Sequence, residues 1–150
     1  MKLISIAAIT ATFLLFVATI ARADDESDVK AAEIAFNAAD NTGNIDAMFK
    51  LSLPDRTVFG SRGGRLVAGW TEESKKRRQA EFDAGRKIEY RIEDLEVRIF
   101  GDVAVTTFYR IGTVKEINEV AKPSHMRISG VWVRQANGWK LAHRHESNFQ

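Results

Sequence analysis

The chain has 150 residues, contains no cysteine, and carries 22 basic against 20 acidic side chains, for a formal net charge of +2 at pH 7. This length predicts a single domain. The lack of cysteine excludes disulfide bonds, thiolate metal sites and cysteine nucleophiles, and the nearly balanced charge gives no general case for binding nucleic acid or an anionic membrane surface.

Residues 1–23 have the features of a secretory signal peptide. Lys2 supplies a positive start, residues 3–20 are almost wholly apolar, and Ala21-Arg22-Ala23 matches the small-x-small cleavage pattern. A retained membrane anchor is the alternative, because the apolar run is just long enough to span a bilayer. The cleavage pattern favours removal after the last of these residues, which leaves a domain over residues 24–150 with no formal net charge. An exported protein without disulfides is predicted to be periplasmic or secreted, and the bacterial periplasm fits better.

Three stretches before residue 86 have helical periodicity. Apolar residues three and four positions apart predict a helix over residues 25–40 and a short one over residues 45–49. Thr71 and Gly85 mark the start and the end of a third helix. That helix contains the basic run Lys75–Arg78, which suits either a nucleic-acid patch or a solvated helix face. The second interpretation is favoured, because cations are stabilising in the later turns of a helix.

A short hairpin is predicted between the second and third helices. Pro54-Asp55 ends the second helix, and residues 56–59 form a strand. The glycine-rich turn at residues 60–64 reverses the chain, and Leu66-Val67 returns as the partner strand.

From Lys87 onward the sequence alternates as β-strands do. The apolar residues have one parity from Ile88 to Ile92 and the opposite parity from Leu95 to Ile99. One extra residue in a strand reverses the parity, so a β-bulge is predicted near Glu93-Asp94. A bulge bends a sheet, and a bent sheet encloses space.

The order of the elements indicates the fold class. Helices are grouped first and four long strands follow in a meander, with the strongest hairpin signal at Asn137-Gly138. This order predicts an α+β fold with helices packed on one face of a curved antiparallel sheet.

Two of the three histidines lie two residues apart in the last predicted strand, GWKLAHRHES (residues 138–147). Side chains alternate across a strand, so Trp139, Leu141, His143 and His145 share one face. This face is the apolar one and is predicted to turn inward. Arg144 and Glu146 are then predicted to turn outward. A hairpin loop with an even number of residues places Trp132 on the histidine face.

The histidine pair has three possible interpretations, of which the first is the weakest. His-x-His occurs in metal sites, because alternate side chains are only ~6.6 Å apart at their bases. However, zinc requires a third ligand and no spacing singles one out, so no metal is predicted. The second interpretation is that both rings are packed and hydrogen-bonded in the core. The third is that they form the polar handle of an otherwise apolar small-molecule pocket.

Several strings resemble the nuclear-transport-factor-2-like superfamily and, within it, the SnoaL-like proteins. They are residues 36–46, Pro54–Phe59, the return at Gly64–Gly69 and the ending Gly138–Ser147, and the resemblance covers residues 26–149. It implies a cone in which a strongly bent antiparallel sheet wraps around the helices and encloses an internal pocket. It also implies a homodimer formed through the sheet.

The resemblance also tests one catalytic mechanism. Ketosteroid isomerases of this superfamily use a tyrosine in the first helix and an aspartate base after the first strand. The matching positions here are Phe36 and Gly60, which neither donate a hydrogen bond through a side chain nor accept a proton. His145 matches a histidine that lies toward the pocket in related proteins, so it is the candidate acid/base residue.

The signal-peptide features and the resemblance together predict an exported protein that binds a small, largely apolar molecule, with no cofactor and no metal. The balanced charge and the cleavage of the signal predict no nucleic-acid partner and no membrane association. The residues expected to contact the ligand are Phe36, Trp70, Tyr109, Trp132, His143 and His145. One alternative is an acid/base enzyme, a lyase, cyclase or isomerase, that uses His145. Another is a non-catalytic dimerisation or association domain.

Overall fold

The structure is a computed structural model that describes residues 6–61, 63 and 65–149, with side chains from residue 24 onward. The features of the predicted signal peptide therefore lie outside the described side chains. Within the described part of the chain, no helix combines the length and apolarity needed to cross a bilayer.

The chain folds as α+β, as the order of the elements predicts. Its elements are α1 (Ile6–Asn41), α2 (Ile45–Lys50), β1 (Ser52–Phe59), β2 (Val67–Ala68), α3 (Glu72–Asp83), β3 (Lys87–Phe100), β4 (Val103–Lys115), β5 (Lys122–Gln135) and β6 (Gly138–Asn148). Thr71 caps α3, since its side chain accepts a hydrogen bond from the backbone N–H of Ser74 at 3.1 Å.

The six strands form one sheet in the order β2-β1-β6-β5-β4-β3. The four long strands form the predicted antiparallel meander, β3 to β6. The short strand β1 pairs in parallel with β6, so the sheet is mixed. This pairing places the first and last strands of the domain side by side.

The predicted bulge in β3 is confirmed. The register with β4 shifts between Glu93 and Glu96, and Asp94 has a left-handed φ of 52°. The strand reverses its faces there, so Ile88 and Val97 both turn toward the interior although their positions differ in parity.

A second bulge, in β6, was not predicted. Trp132 of β5 pairs with Leu141, but the next residue of β5, Val131, pairs with His143. Ala142 is therefore the extra residue, and the faces of β6 reverse after it.

The β6 bulge makes the predicted orientation of the histidines wrong. Trp139 and Leu141 are buried, as expected, but beyond the bulge the inward residue is Arg144, which is 1% exposed. His143 and His145 turn to the outer face of the sheet. The alternation rule fails because it counts through the bulge as if the strand were regular.

Two apolar clusters form the core. One lies between α1, α2 and the sheet and contains Phe36 and Trp132; the other lies under β3 to β5 and contains Tyr90 and Met126. Helix α1 is tied to β3 by an amide clamp, in which Asn41 accepts from the backbone N–H of Tyr90 at 2.9 Å and donates to its carbonyl at 2.8 Å. Residues of both clusters, among them Phe36 and Met126, line a cavity.

Candidate functional site

A cavity of about 420 Å³ lies on the inner face of the sheet. Residues from all three helices and all six strands contribute to its wall. Its volume is within the range of about 300–1,000 Å³ that small-molecule sites occupy.

The wall of the cavity is rich in arginine. Its apolar part includes Phe36, Met48, Trp70, Ile88, Val114 and Met126. Its basic residues are Arg56, Arg65, Arg77, Arg78, Arg86, Arg110 and Arg144. Among the described lining residues only three are acidic, namely Asp40, Glu81 and Glu146. The cavity is therefore cationic as well as apolar, which differs from the largely apolar pocket expected from the sequence.

Asp40 anchors one group of these arginines. Its carboxylate accepts hydrogen bonds from Arg110 at 2.7 Å and from Arg78 at 3.1 Å, and both Asp40 and Arg110 are buried. Burial tends to raise the pKa of Asp40, but the charges of Arg110 and Arg78 outweigh it and hold the pKa below its ordinary value. Glu81 pairs in the same way with Arg86 at 2.7 Å. These guanidinium groups are neutralised by the protein itself.

Arg56 has no such partner. Its guanidinium carbon lies 3.9 Å from the ring centroid of Trp70 and 5.5 Å from that of Phe36. Among the described residues no carboxylate is within ion-pair distance of Arg56, and its Nη1 is buried without a hydrogen-bond acceptor. Burial, together with the positive charge of Arg144, lowers the pKa of Arg56 to about 9.

Arg144 is held in the cavity wall by Glu33 of α1. The carboxylate of Glu33 is fully buried and accepts hydrogen bonds from Arg144, from the indole N–H of Trp132 at 2.8 Å and from the hydroxyl of Thr106 at 3.0 Å. The Arg144 guanidinium lies 4.3 Å from the ring centroid of Phe36. Arg56 and Arg144 therefore flank the same ring.

The two histidines lie on the other side of the sheet. His143 shares a 2.7 Å hydrogen bond with the hydroxyl of Thr57, and the His145 ring lies 5.8 Å from that of Phe59. Neither is among the residues that line the cavity. The prediction that they form its polar handle is wrong, and so is the placement of the candidate acid/base residue His145 toward the pocket.

Of the four aromatic residues predicted to contact the ligand, Phe36 and Trp70 line the cavity. Trp132 is buried in the core, where its indole N–H donates a hydrogen bond to Glu33. Tyr109 lies on the outer face, 39% exposed, with its ring 5.4 Å from that of Phe149. Among the described residues, no group of three or more acidic or histidine side chains is arranged to bind a metal ion.

The charged residues of the wall were missed because their sequence signals are weak. Simple alternation predicts Arg144 on the outer face. In the sequence, Asp40 and Arg56 mark only the end of a predicted helix and the start of a predicted strand. The available signal was Arg110, which shares the parity of Ala104 and Phe108 in a strand that must bury one face.

Replacing His145 by alanine is expected to leave the cavity and the stability of the protein unchanged, because the ring is exposed on the outer face. The free energy of unfolding should change by less than about 0.5 kcal/mol, as measured by urea denaturation. His143→Ala is the matched comparison and should cost about 0.5–1.5 kcal/mol, because it removes the hydrogen bond to Thr57. A larger loss for His145→Ala than for His143→Ala would contradict this placement.

A bent sheet that closes over helices and leaves an internal cavity defines the nuclear-transport-factor-2-like class of folds. A family model described as the SnoaL-like domain matches residues 29–150. The chain belongs to the SnoaL-like family.

Solved structures support the same fold. The CaMKII hub of S. rosetta is 25% identical in sequence and has a TM-score of 0.69. The alignment covers 83% of this chain and 96% of the hub chain. A ketosteroid isomerase-like protein from Erwinia carotovora atroseptica is 21% identical, with coverage of 84% and 97% and a TM-score of 0.69. An NTF2-like protein of unknown function in nutrient uptake from Rhodospirillum rubrum is 23% identical, with coverage of 82% and 99% and a TM-score of 0.68. The comparison with curated proteins found no match.

Proposed function

We propose that this SnoaL-like protein is exported and binds a small organic anion in its internal cavity. The observation that carries the proposal is the charge of the wall, which contains seven arginines and three carboxylates. Two further carboxylates, Glu33 and Glu116, pair with Arg144 and Arg86, so an excess of positive charge remains. A cavity with that excess of positive charge attracts a negatively charged ligand and disfavours a cationic one.

The apolar part of the wall supports a ligand with a hydrocarbon portion. Ile88, Val114 and Met126 line the cavity from the sheet, and Phe36 and Met48 line it from the helices. Burying a methylene group contributes about 0.8 kcal/mol, so these residues favour an amphipathic anion over an inorganic one.

Export is proposed on the features of residues 1–23, which are those of a secretory signal peptide and support a periplasmic or extracellular location for the mature domain. A homodimer is proposed as the working form, with the second copy on the outer face of the sheet. The exposed side chains of Phe59 and Tyr109 on that face support this arrangement, because they would be buried in the dimer.

The proposal is tested by thermal unfolding of the mature domain with octanoate and with octan-1-ol. Octanoate is expected to raise the melting temperature, while octan-1-ol, which has the same chain without the charge, leaves it nearly unchanged. A ligand present at 100 times its Kd stabilises the folded state by about 2.7 kcal/mol. Native mass spectrometry of protein from its own source then reports a retained anion and the dimer. Equal responses to the two compounds, or no response to either, would contradict an anion site.

A further inference from the structure

Arg56 differs from the other arginines of the cavity wall in its surroundings. Arg78, Arg86, Arg110 and Arg144 each have a carboxylate partner. Arg65 and Arg77 are exposed, so water solvates them. Arg56 is neither paired within the described part of the chain nor well solvated, and its charge is therefore left for a ligand to neutralise.

Arg144 lies at the same place and also has an unused hydrogen-bond donor. Both guanidinium groups lie against the ring of Phe36, and Arg144 is the cation that acts most strongly on Arg56. Glu33 neutralises Arg144 and fixes its position, but the Nε of Arg144, like the Nη1 of Arg56, is buried without a hydrogen-bond partner among the described residues. A ligand that carries hydrogen-bond acceptors would complete both groups.

Glu146 limits how much negative charge a ligand can carry beside Arg56 and Arg144. It lines the cavity from β6, two residues after Arg144, and has no ion pair or hydrogen bond among the described residues. Its carboxylate repels a ligand that carries two negative charges. Because Glu33 already neutralises Arg144, a ligand at this point meets the unpaired guanidinium of Arg56 and the carboxylate of Glu146. A second negative charge on the ligand would lie near Glu146 without a cation of its own.

We infer that Arg56 and Arg144 form the anion subsite of the cavity, and that this subsite takes one carboxylate group carried on an apolar chain. The inference rests on the proposed function and names the ligand class for the same cavity. A planar guanidinium suits a carboxylate, whose two oxygens accept parallel N–H bonds. The Arg56 guanidinium carbon lies 3.9 Å from the ring centroid of Trp70, and this contact uses none of the N–H donors of the group.

The test is calorimetric titration of octanoate into the wild-type domain, Arg56→Gln and Arg77→Gln. Arg77 also lines the cavity but is exposed, so its variant controls for the general charge of the wall. Arg56→Gln is expected to weaken octanoate binding about tenfold to a hundredfold, and Arg77→Gln by less than about threefold. Because Arg56 has no counter-ion, ligand-free Arg56→Gln should unfold at a temperature equal to or above that of the wild type, which shows that the lost binding is not lost folding.

Two further measurements address the ligand class. Octyl phosphate, which carries up to two charges, should bind the wild type more weakly than octanoate, and Glu146→Gln should narrow that difference.

The outcomes separate the two proposals. Equal losses in Arg56→Gln and Arg77→Gln would mean that the charge of the cavity acts diffusely, which overturns the subsite but leaves an anion-binding cavity. Tighter binding of octyl phosphate than of octanoate overturns the assignment to a single carboxylate. Failure of the wild type to bind either compound overturns the proposed function and the subsite together.

Discussion

Replacing Glu33 by alanine is expected to lower the free energy of unfolding by about 3–5 kcal/mol, because it leaves a buried guanidinium without a counter-ion. Glu33 is fully buried and is the carboxylate that neutralises Arg144, which is 1% exposed. The same substitution removes the hydrogen-bond acceptor of the buried Trp132 indole and of Thr106. Urea denaturation, monitored by tryptophan fluorescence, measures the loss.

The controls for this prediction lie on the same helix and on β6. Glu26 and Lys30 form an exposed ion pair at 2.7 Å on α1, and Glu26→Ala should cost only about 0.3–0.5 kcal/mol. The double variant Glu33→Leu, Arg144→Met should recover much of the loss, because neither buried charge remains. If Glu33→Ala costs no more than Glu26→Ala, the buried pair does not have the role assigned to it.

Replacing Gly112 by alanine is expected to destabilise the domain by about 3 kcal/mol or more, because the added methyl group has no space. A Cβ at this position of β4 would overlap the carbonyl oxygen of Glu89 and lie 3.0 Å from the Cα of Tyr90. Both contacts are with the backbone of β3, so a change of side-chain rotamer cannot relieve them. Strand β3 must move, although Asn41 holds it to α1 through two hydrogen bonds to the backbone of Tyr90.

Gly60→Ala is the matched control for this second prediction. A Cβ at Gly60 would meet no atom within 4 Å. The substitution should be neutral or should stabilise the fold by about 0.4–1 kcal/mol, because it restricts the unfolded chain. Thermal unfolding of the two variants gives the comparison, and a melting temperature for Gly112→Ala near that of Gly60→Ala would show that the strands separate at little cost.

The two bulges show what sequence patterns can and cannot reveal. In β3 the residues on both sides of the bulge are apolar at alternate positions, so the change of parity at Glu93-Asp94 is visible in the sequence. In β6 the apolar pattern ends at Ala142, where the bulge begins. The residues after it are His143, Arg144, His145 and Glu146, and an all-polar run carries no signal of which face is buried.

A similar ambiguity affects Tyr109. The odd-numbered residues of β4, from Val103 to Ile111, are mostly apolar and suggest a buried face. The structure buries the even-numbered set instead, which includes Ala104, Phe108 and Arg110. Arg110 is accepted there because Asp40 of α1 neutralises it, and that partner is 70 residues away in the chain.

The sequence by itself determined the fold class, the family resemblance, the order of the elements and the bulge in β3. Those features follow from local propensity and from the period of the apolar residues, which act over a few residues. Only the tertiary structure decided which charged side chains enter the cavity. The pairing of Arg144 with Glu33, and the lack of a partner for Arg56, depend on residues far apart in the chain and on one extra residue in a strand. For that reason Arg144 and Glu146 of the ending GWKLAHRHES line the cavity, whereas its two histidines lie on the outer face of the sheet.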